Sequence, residues 1–127
     1  MIKSFEGVLL SSEDAKALAE FYRDVVGLEV KQEFEGEDGV MGFEMDTKSG
    51  SNLFINAHDK VKGKNKEPER LIINLEVDDI EKEAKRLKDQ KVRLIADIYH
   101  IEGYGLIATF EDIDGNYFQF VQIRSNK

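Results

Sequence analysis

The sequence predicts an α+β chain built from two βαβββ modules. Three observations carry that prediction. Two stretches, beginning at Ala15 and Ile80, repeat apolar residues at helical spacing. Around them lie short runs of strand character, several with a two-residue alternation. The halves also superpose at an offset of 65 residues, which sets Gly7 on Ile72, Leu10 on Leu75, Asp14 on Asp79 and Ala19 on Ala84.

The first module opens on the strand-like run FEGVLL (5–10). Ala15, Leu18, Ala19, Tyr22 and Val25 then form one apolar stripe of a helix, with Ser11 and Asp14 at capping-box spacing and Gly27 as the stop. Strand runs follow at LEVKQEF (28–34), VMGFEMD (40–46) and NLFINA (52–57). The second module opens on LIINLEV (71–77), and Ile80, Ala84 and Leu87 mark its helix, with Asp78 and Glu81 at the cap spacing. VRLIADI (92–98), LIATFE (106–111) and YFQFVQI (117–123) complete it, the last two joined by a tight turn at Asp114-Gly115-Asn116.

At 127 residues the chain is long enough for one domain with a real core. It divides into module one (1–59), a linker (60–70) and module two (71–127). The linker KVKGKNKEPER holds five basic and two acidic residues and Pro68, and reads as an exposed connector. The rest carries −11 of a net charge of −8. An acidic surface disfavours nucleic-acid and anionic-membrane partners, which reward basic patches. No apolar run approaches a membrane span, and MIKSFEGVLLSSED is too short in apolar residues for a signal peptide. Cysteine is absent, so disulfides and thiolate chemistry are excluded and a cytoplasmic location is expected.

The segments GVLLSSEDAKALAEFYRDVVGLEV (7–30), LEVDDIEKEAKRLKDQKV (75–92) and FEDIDGNYFQF (110–120) resemble the vicinal oxygen chelate superfamily of glyoxalases, bleomycin-resistance proteins and extradiol dioxygenases. The last departs from the family's Asp-Pro-Asp-Gly-Asn turn in having Ile113 at the proline position. The resemblance implies that each module curls into part of a cup with its helix outside, and that chains pair as homodimers. It also implies a divalent metal held by inward His and Glu residues. Carried over, those positions are Gly7, Ile72, Gln119 and, as the first-module counterpart of Gln119, Ile55. Glycine and isoleucine offer no side-chain ligand, and a neutral amide is a poor substitute for carboxylate. A register slip bringing Glu6 inward would turn Val8 and Leu10 off the core face. No metal and no cofactor are therefore expected.

What remains is a small-molecule pocket. Parity with Gly7 and Ile72 selects Leu9, Ile55, Asn74, Tyr117, Gln119 and Val121 for the concave side, and Met41, Phe43 and Met45 share a parity of their own. His100, in the loop-like IYHIEGYG with Tyr99 and Tyr104, is placed to close the mouth. The ligand-binding set is thus Leu9, Met41, Phe43, Ile55, Asn74, His100, Tyr104, Tyr117 and Gln119. The same side chains would serve as ordinary core if the cup were filled.

Other motifs fail on context. Gly103 to Ala108 matches a dinucleotide fingerprint but precedes a strand. A calcium loop from Asp112 would need Glu where Ile123 stands, and the serines lack a nucleophile-elbow setting. The expected function is metal-free binding of an unidentified small molecule, cationic or aromatic. The alternatives are a glyoxalase-like lyase, isomerase or dioxygenase with an atypical or lost metal site, using either a metal on other residues or His100 and Glu44 as metal-free acid and base, or a regulatory or structural dimer with a filled cup.

Overall fold

The structure, a computed structural model, describes residues 1–37 and 39–123. The last four residues of the second module, 124–127, lie outside the described residues. Two compact units follow one another along the chain, the first from Met1 to Gly63 and the second from Lys64 onward.

In the first unit, strands β1 (Gly7–Ser12), β2 (Glu29–Gly36), β3 (Gly39–Asp46) and β4 (Asn52–Ala57) form one sheet in the order β1-β4-β3-β2. β1 runs parallel to β4 and the other pairs are antiparallel. Helix α1 (Ala15–Glu20) connects β1 to β2. The second unit repeats this plan with β5 (Ile73–Glu76), helix α2 (Ile80–Asp89), β6 (Arg93–Ile101), β7 (Gly105–Glu111) and β8 (Tyr117–Ile123), ordered β5-β8-β7-β6. The two βαβββ modules of an α+β fold are therefore present.

The helix starts differ by a few residues from the sequence reading. Strand β1 runs through Ser12, so the cap of α1 is Asp14, whose carboxylate accepts from the Ala17 N–H (3.1 Å). In α2 the cap is Asp79, accepting from Lys82 N–H at 3.2 Å, not Asp78. Asp14 and Asp79 are equivalents at the offset of 65. After Glu20 the first helix widens into a π-helical turn, Phe21–Val26, and ends on Gly27 in the left-handed region (φ 111°). The extra residue of a π turn rotates the following side chains. Val26 is accordingly buried where the α-helical stripe predicts Val25.

Each sheet packs one face against its helix. In the first unit Leu10, Met45, Leu53 and Ile55 meet Ala15, Leu18, Ala19 and Tyr22 in a buried core. In the second, Ile80, Ala84 and Leu87 of α2 are fully buried, as the periodicity predicts. Under them lie Phe110, Phe118 and Phe120, whose ring centroids stand 5.9–6.1 Å apart. Such aromatic clusters add packing energy to the area they remove from water. Lys88 of α2 reaches Asp97 of β6 at 2.7 Å. That bond, with the Ile98 N–H, holds the Asp97 carboxyl below its ordinary range.

Residues 60–70 are more tied down than a free connector. Gly63 N–H donates to Glu13 Oε1 within the first unit. Asn65 belongs to the second, where its N–H donates to the Asp114 carbonyl (2.8 Å) and its Nδ2 to Asn116 Oδ1 (3.0 Å).

Helix α2 ends less comfortably than α1. Lys91, beyond its last turn, holds φ at +65°, a region that costs an L-residue about 1 kcal/mol and glycine almost nothing. Its N–H donates to the Lys88 carbonyl, a bond any residue can make. Lys91→Gly is expected to stabilise the protein by about 1 kcal/mol in urea unfolding, with Lys91→Ala giving no comparable gain.

Candidate functional site

Strand pairing decides which side chains share a face. In the first unit Leu9 pairs with Phe54, and Phe54 with Glu44, which in turn pairs with Gln32. These four form a row on the face away from α1. A second row holds Ser11, Asn56, Gly42 and Phe34. The face contains the expected Leu9, 57 % exposed.

It does not contain Ile55 or Phe43. Ile55 pairs with Leu10 and with Phe43, so all three point to the helix side, where they are buried. Met45 pairs with Leu53 and joins them there. Met41 lies against Gly36, on the far side of an irregularity between β2 and β3, and is half-exposed. The parity carried across from Leu9 is thus one residue out in β4. The counterpart of Gln119 is Phe54, which the offset of 65 itself gives.

In the second unit the expected residues do come together. Asn74 pairs with Gln119, and Gln119 with Thr109. On one side of that row stand Glu111 and Tyr117, and on the other Tyr99, Ile107 and Val121. Gln119 Nε2 donates to Thr109 Oγ1 at 2.9 Å, and Arg93 braces Glu111 at 3.3 Å. Asn74 is exposed rather than buried, so its amide is free to meet solvent.

His100 is not in a loop. It lies in β6 opposite Leu106, which pairs with Gln122, and Gln122 Oε1 accepts from the Ile80 N–H at the start of α2 (2.9 Å). His100 therefore belongs to the helix side, and its neighbour Tyr99 to the face with Gln119. Tyr104 occupies the turn between β6 and β7, its N–H donating to the Ile101 carbonyl.

Three residues that the sequence reading did not place in the pocket complete the first unit's face. Glu44 is only 8 % exposed, and its Oε2 accepts from Asn52 Nδ2 at 2.7 Å. Lys31 Nζ stands 3.7 Å from the same oxygen. A bulge in β2 between Val30 and Gln32 lets Lys31 reach across. The repeat could have located Asn52 and Phe54, as equivalents of Tyr117 and Gln119. A bulge leaves no such signal in the sequence.

The positions expected to bind metal do not supply a cation's donor set. A Cβ on Gly7 would overlap the Asn52 carbonyl oxygen and lie 3.0 Å from the Phe54 ring. Ile72 and Phe54 have no ligating atom, and the Gln119 amide is engaged with Thr109. Glu6 does not replace Gly7, since the register sets Gly7 opposite Asn52. Among the described residues no three His, Asp or Glu side chains group to hold an ion.

A cavity of about 400 Å³ opens on the other side of the first sheet, between α1 and the outer strands. Ala19, Val30, Val40 and Phe43 line it, with Lys16 and Glu33 among its charged residues. Phe43 thus borders a hollow, but one on the helix side.

No curated protein is significantly similar to the chain in sequence. Its fold is that of several solved structures. An antibiotic binding protein from Streptomyces sp. CB03234 superposes with a TM-score of 0.75 at 21% identity, covering 97% of this chain and 98% of that one. A glyoxylase/bleomycin resistance protein/dioxygenase domain from Frankia sp. EAN1pec gives 0.77 at 14% identity, over 98% and 100% of the two chains. A glyoxalase/dioxygenase from Nostoc punctiforme gives 0.74 at 16% identity, over 97% and 92%. The model of the Glyoxalase/Bleomycin resistance protein/Dioxygenase superfamily matches residues 5–120, and the chain belongs to that superfamily.

Proposed function

We propose that this chain binds a small organic molecule, cationic or aromatic, without a metal and without turning it over. The carrying observation is the make-up of the two helix-free faces. Each sets a few polar groups among apolar and aromatic side chains, as small-molecule sites do. Glu44 and Asn52 do so beside Leu9 and Phe54, and Gln119, Thr109 and Asn74 beside Tyr99, Tyr117 and Val121. The occupants of positions 7, 54, 72 and 119 support the metal-free reading, since they offer one neutral amide between them. The net charge of −8 favours a cation by attraction. A solved neighbour is itself an antibiotic binding protein, which agrees with this class of ligand. Assembly as a homodimer and a cytoplasmic location belong to the same reading. No described helix is long and apolar enough to cross a membrane.

Acid–base catalysis by His100 and Glu44 finds less support, because His100 lies on the helix side of its sheet. The test is a thermal-shift screen of antibiotics and aromatic cations, run beside metal analysis and a hemithioacetal turnover assay. At least one compound should raise the melting temperature, and Gln119→Ala or Asn74→Ala should weaken it about tenfold. Stoichiometric metal, or turnover above background, would sink the proposal.

A further inference from the structure

Glu44 has no acidic equivalent in the second module. At the offset of 65 its counterpart is Thr109, and the counterpart of Asn52 is Tyr117. Both replacements are neutral hydroxyls. A carboxylate at this position therefore belongs to the first unit, whereas the second unit's carboxylate on the equivalent face, Glu111, is held by Arg93 at 3.3 Å.

Its bonding is incomplete. A carboxylate withdrawn from water needs several donors to offset its lost hydration. The Glu44 carboxylate receives one hydrogen bond among the described residues, from Asn52 to Oε2. Lys31 at 3.7 Å is beyond hydrogen-bond length, and its side chain is 54 % exposed. On the same amide that serves Glu44, Asn52 Oδ1 is buried with no partner. The cluster is thus rich in acceptors and short of donors.

Beside it lies an apolar shelf. Phe54 is the ladder partner of both Leu9 and Glu44. Phe34 adds a second ring, its centroid 6.5 Å from that of Phe54 and tilted by 39°. Leu9 and Phe34 are both exposed, which ordinary core residues are not.

We propose that Glu44 and Asn52 anchor a cationic N–H group, an ammonium, amidinium or guanidinium, carried on an aromatic body that lies over Leu9, Phe54 and Phe34. Lys31 is the tethered cation that this group displaces. The inference rests on the binding reading above and assigns the residues that read the charge. An anion is rejected by the same acceptors. A neutral aromatic gains the shelf but leaves the carboxylate as it was. The long, half-solvated Lys31 contact is weak enough to exchange, since ion pairs of that exposure contribute little.

Two matched probes test this, the naphthylmethylammonium ion and neutral naphthylmethanol, titrated by NMR against the whole chain. The wild type should prefer the ammonium by about tenfold or more. Glu44→Gln, nearly isosteric, should remove that preference while changing the alcohol less than about threefold. Lys31→Met should tighten the ammonium several-fold and leave the alcohol unchanged. If both probes bind and Glu44→Gln keeps the preference, or Lys31→Met weakens the ammonium, the anchor is overturned and binding itself stands. If neither probe binds and nothing in the thermal-shift screen does, the binding reading falls and the anchor with it.

Discussion

Asp112→Ala should cost the protein about 3 kcal/mol, read as a lower urea midpoint with an unchanged slope. Asp112 is 3 % exposed at the end of β7. Its Oδ1 accepts from the Asp114 and Asn116 N–H groups at 2.8 and 2.9 Å, and its Oδ2 from Asn116 Nδ2 at 3.0 Å. The Asp112 N–H in turn donates to the Asn116 carbonyl, and Gly115 supplies the positive φ of 79° that closes the turn. Hydrogen bonds to a carboxylate are each worth about 1.5–3 kcal/mol, and alanine strands the donors as well. Asn65 also bonds this turn, so its loss should loosen the chain just after Lys64. Asp112→Asn keeps one acceptor oxygen and should lose clearly less than alanine. Equal losses for the two variants would mean that shape, not the carboxylate, holds the turn.

Gly7→His is the second large effect, a loss of about 2–3 kcal/mol with no gain of metal. The substitution restores the residue type expected of a metal-binding relative. Here its Cβ meets the Asn52 carbonyl, a backbone atom that cannot rotate away. β1 is an edge strand, so it can retreat, but only by stretching the ladder where Gly7 faces Asn52. Gly7→Ala should show most of the same loss, because the overlap is at Cβ. Melting curves with and without zinc, nickel and manganese check both halves. A stable variant that takes up stoichiometric metal would refute the steric account.

The fold was legible because its signals are periodic. Ile80, Ala84 and Leu87 recur at helical spacing, and all three prove fully buried. The offset of 65 pairs Asn74–Gln119 with Leu9–Phe54 in two separate ladders. The errors arose where one residue is inserted or shifted. Counting to Ile55 instead of Phe54 exchanged the two faces of β4, because strand side chains alternate. The π turn moved burial from Val25 to Val26. His100 looked like part of a loop because glycines bracket Tyr104, while the strand in fact runs to Ile101. For the candidate site, Leu9, Asn74, Tyr117 and Gln119 were readable from alternation. Glu44 stood only as an acid–base candidate and not in the binding set, since a carboxylate in a strand is normally turned to water and only the pairing shows it withdrawn.

The bulges in β2 and β6 fall opposite equivalent rows, between 44 and 45 in one module and 109 and 110 in the other. The residue lifted out is Lys31 in the first and Ile95 in the second. The two modules thus share, at the same place in the repeat, a slot whose occupant stands outside the ladder pairing. Such a slot can change chemistry at little expense to folding. Exchanging lysine and isoleucine between the two slots would change the charge beside one sheet at a time while keeping its register.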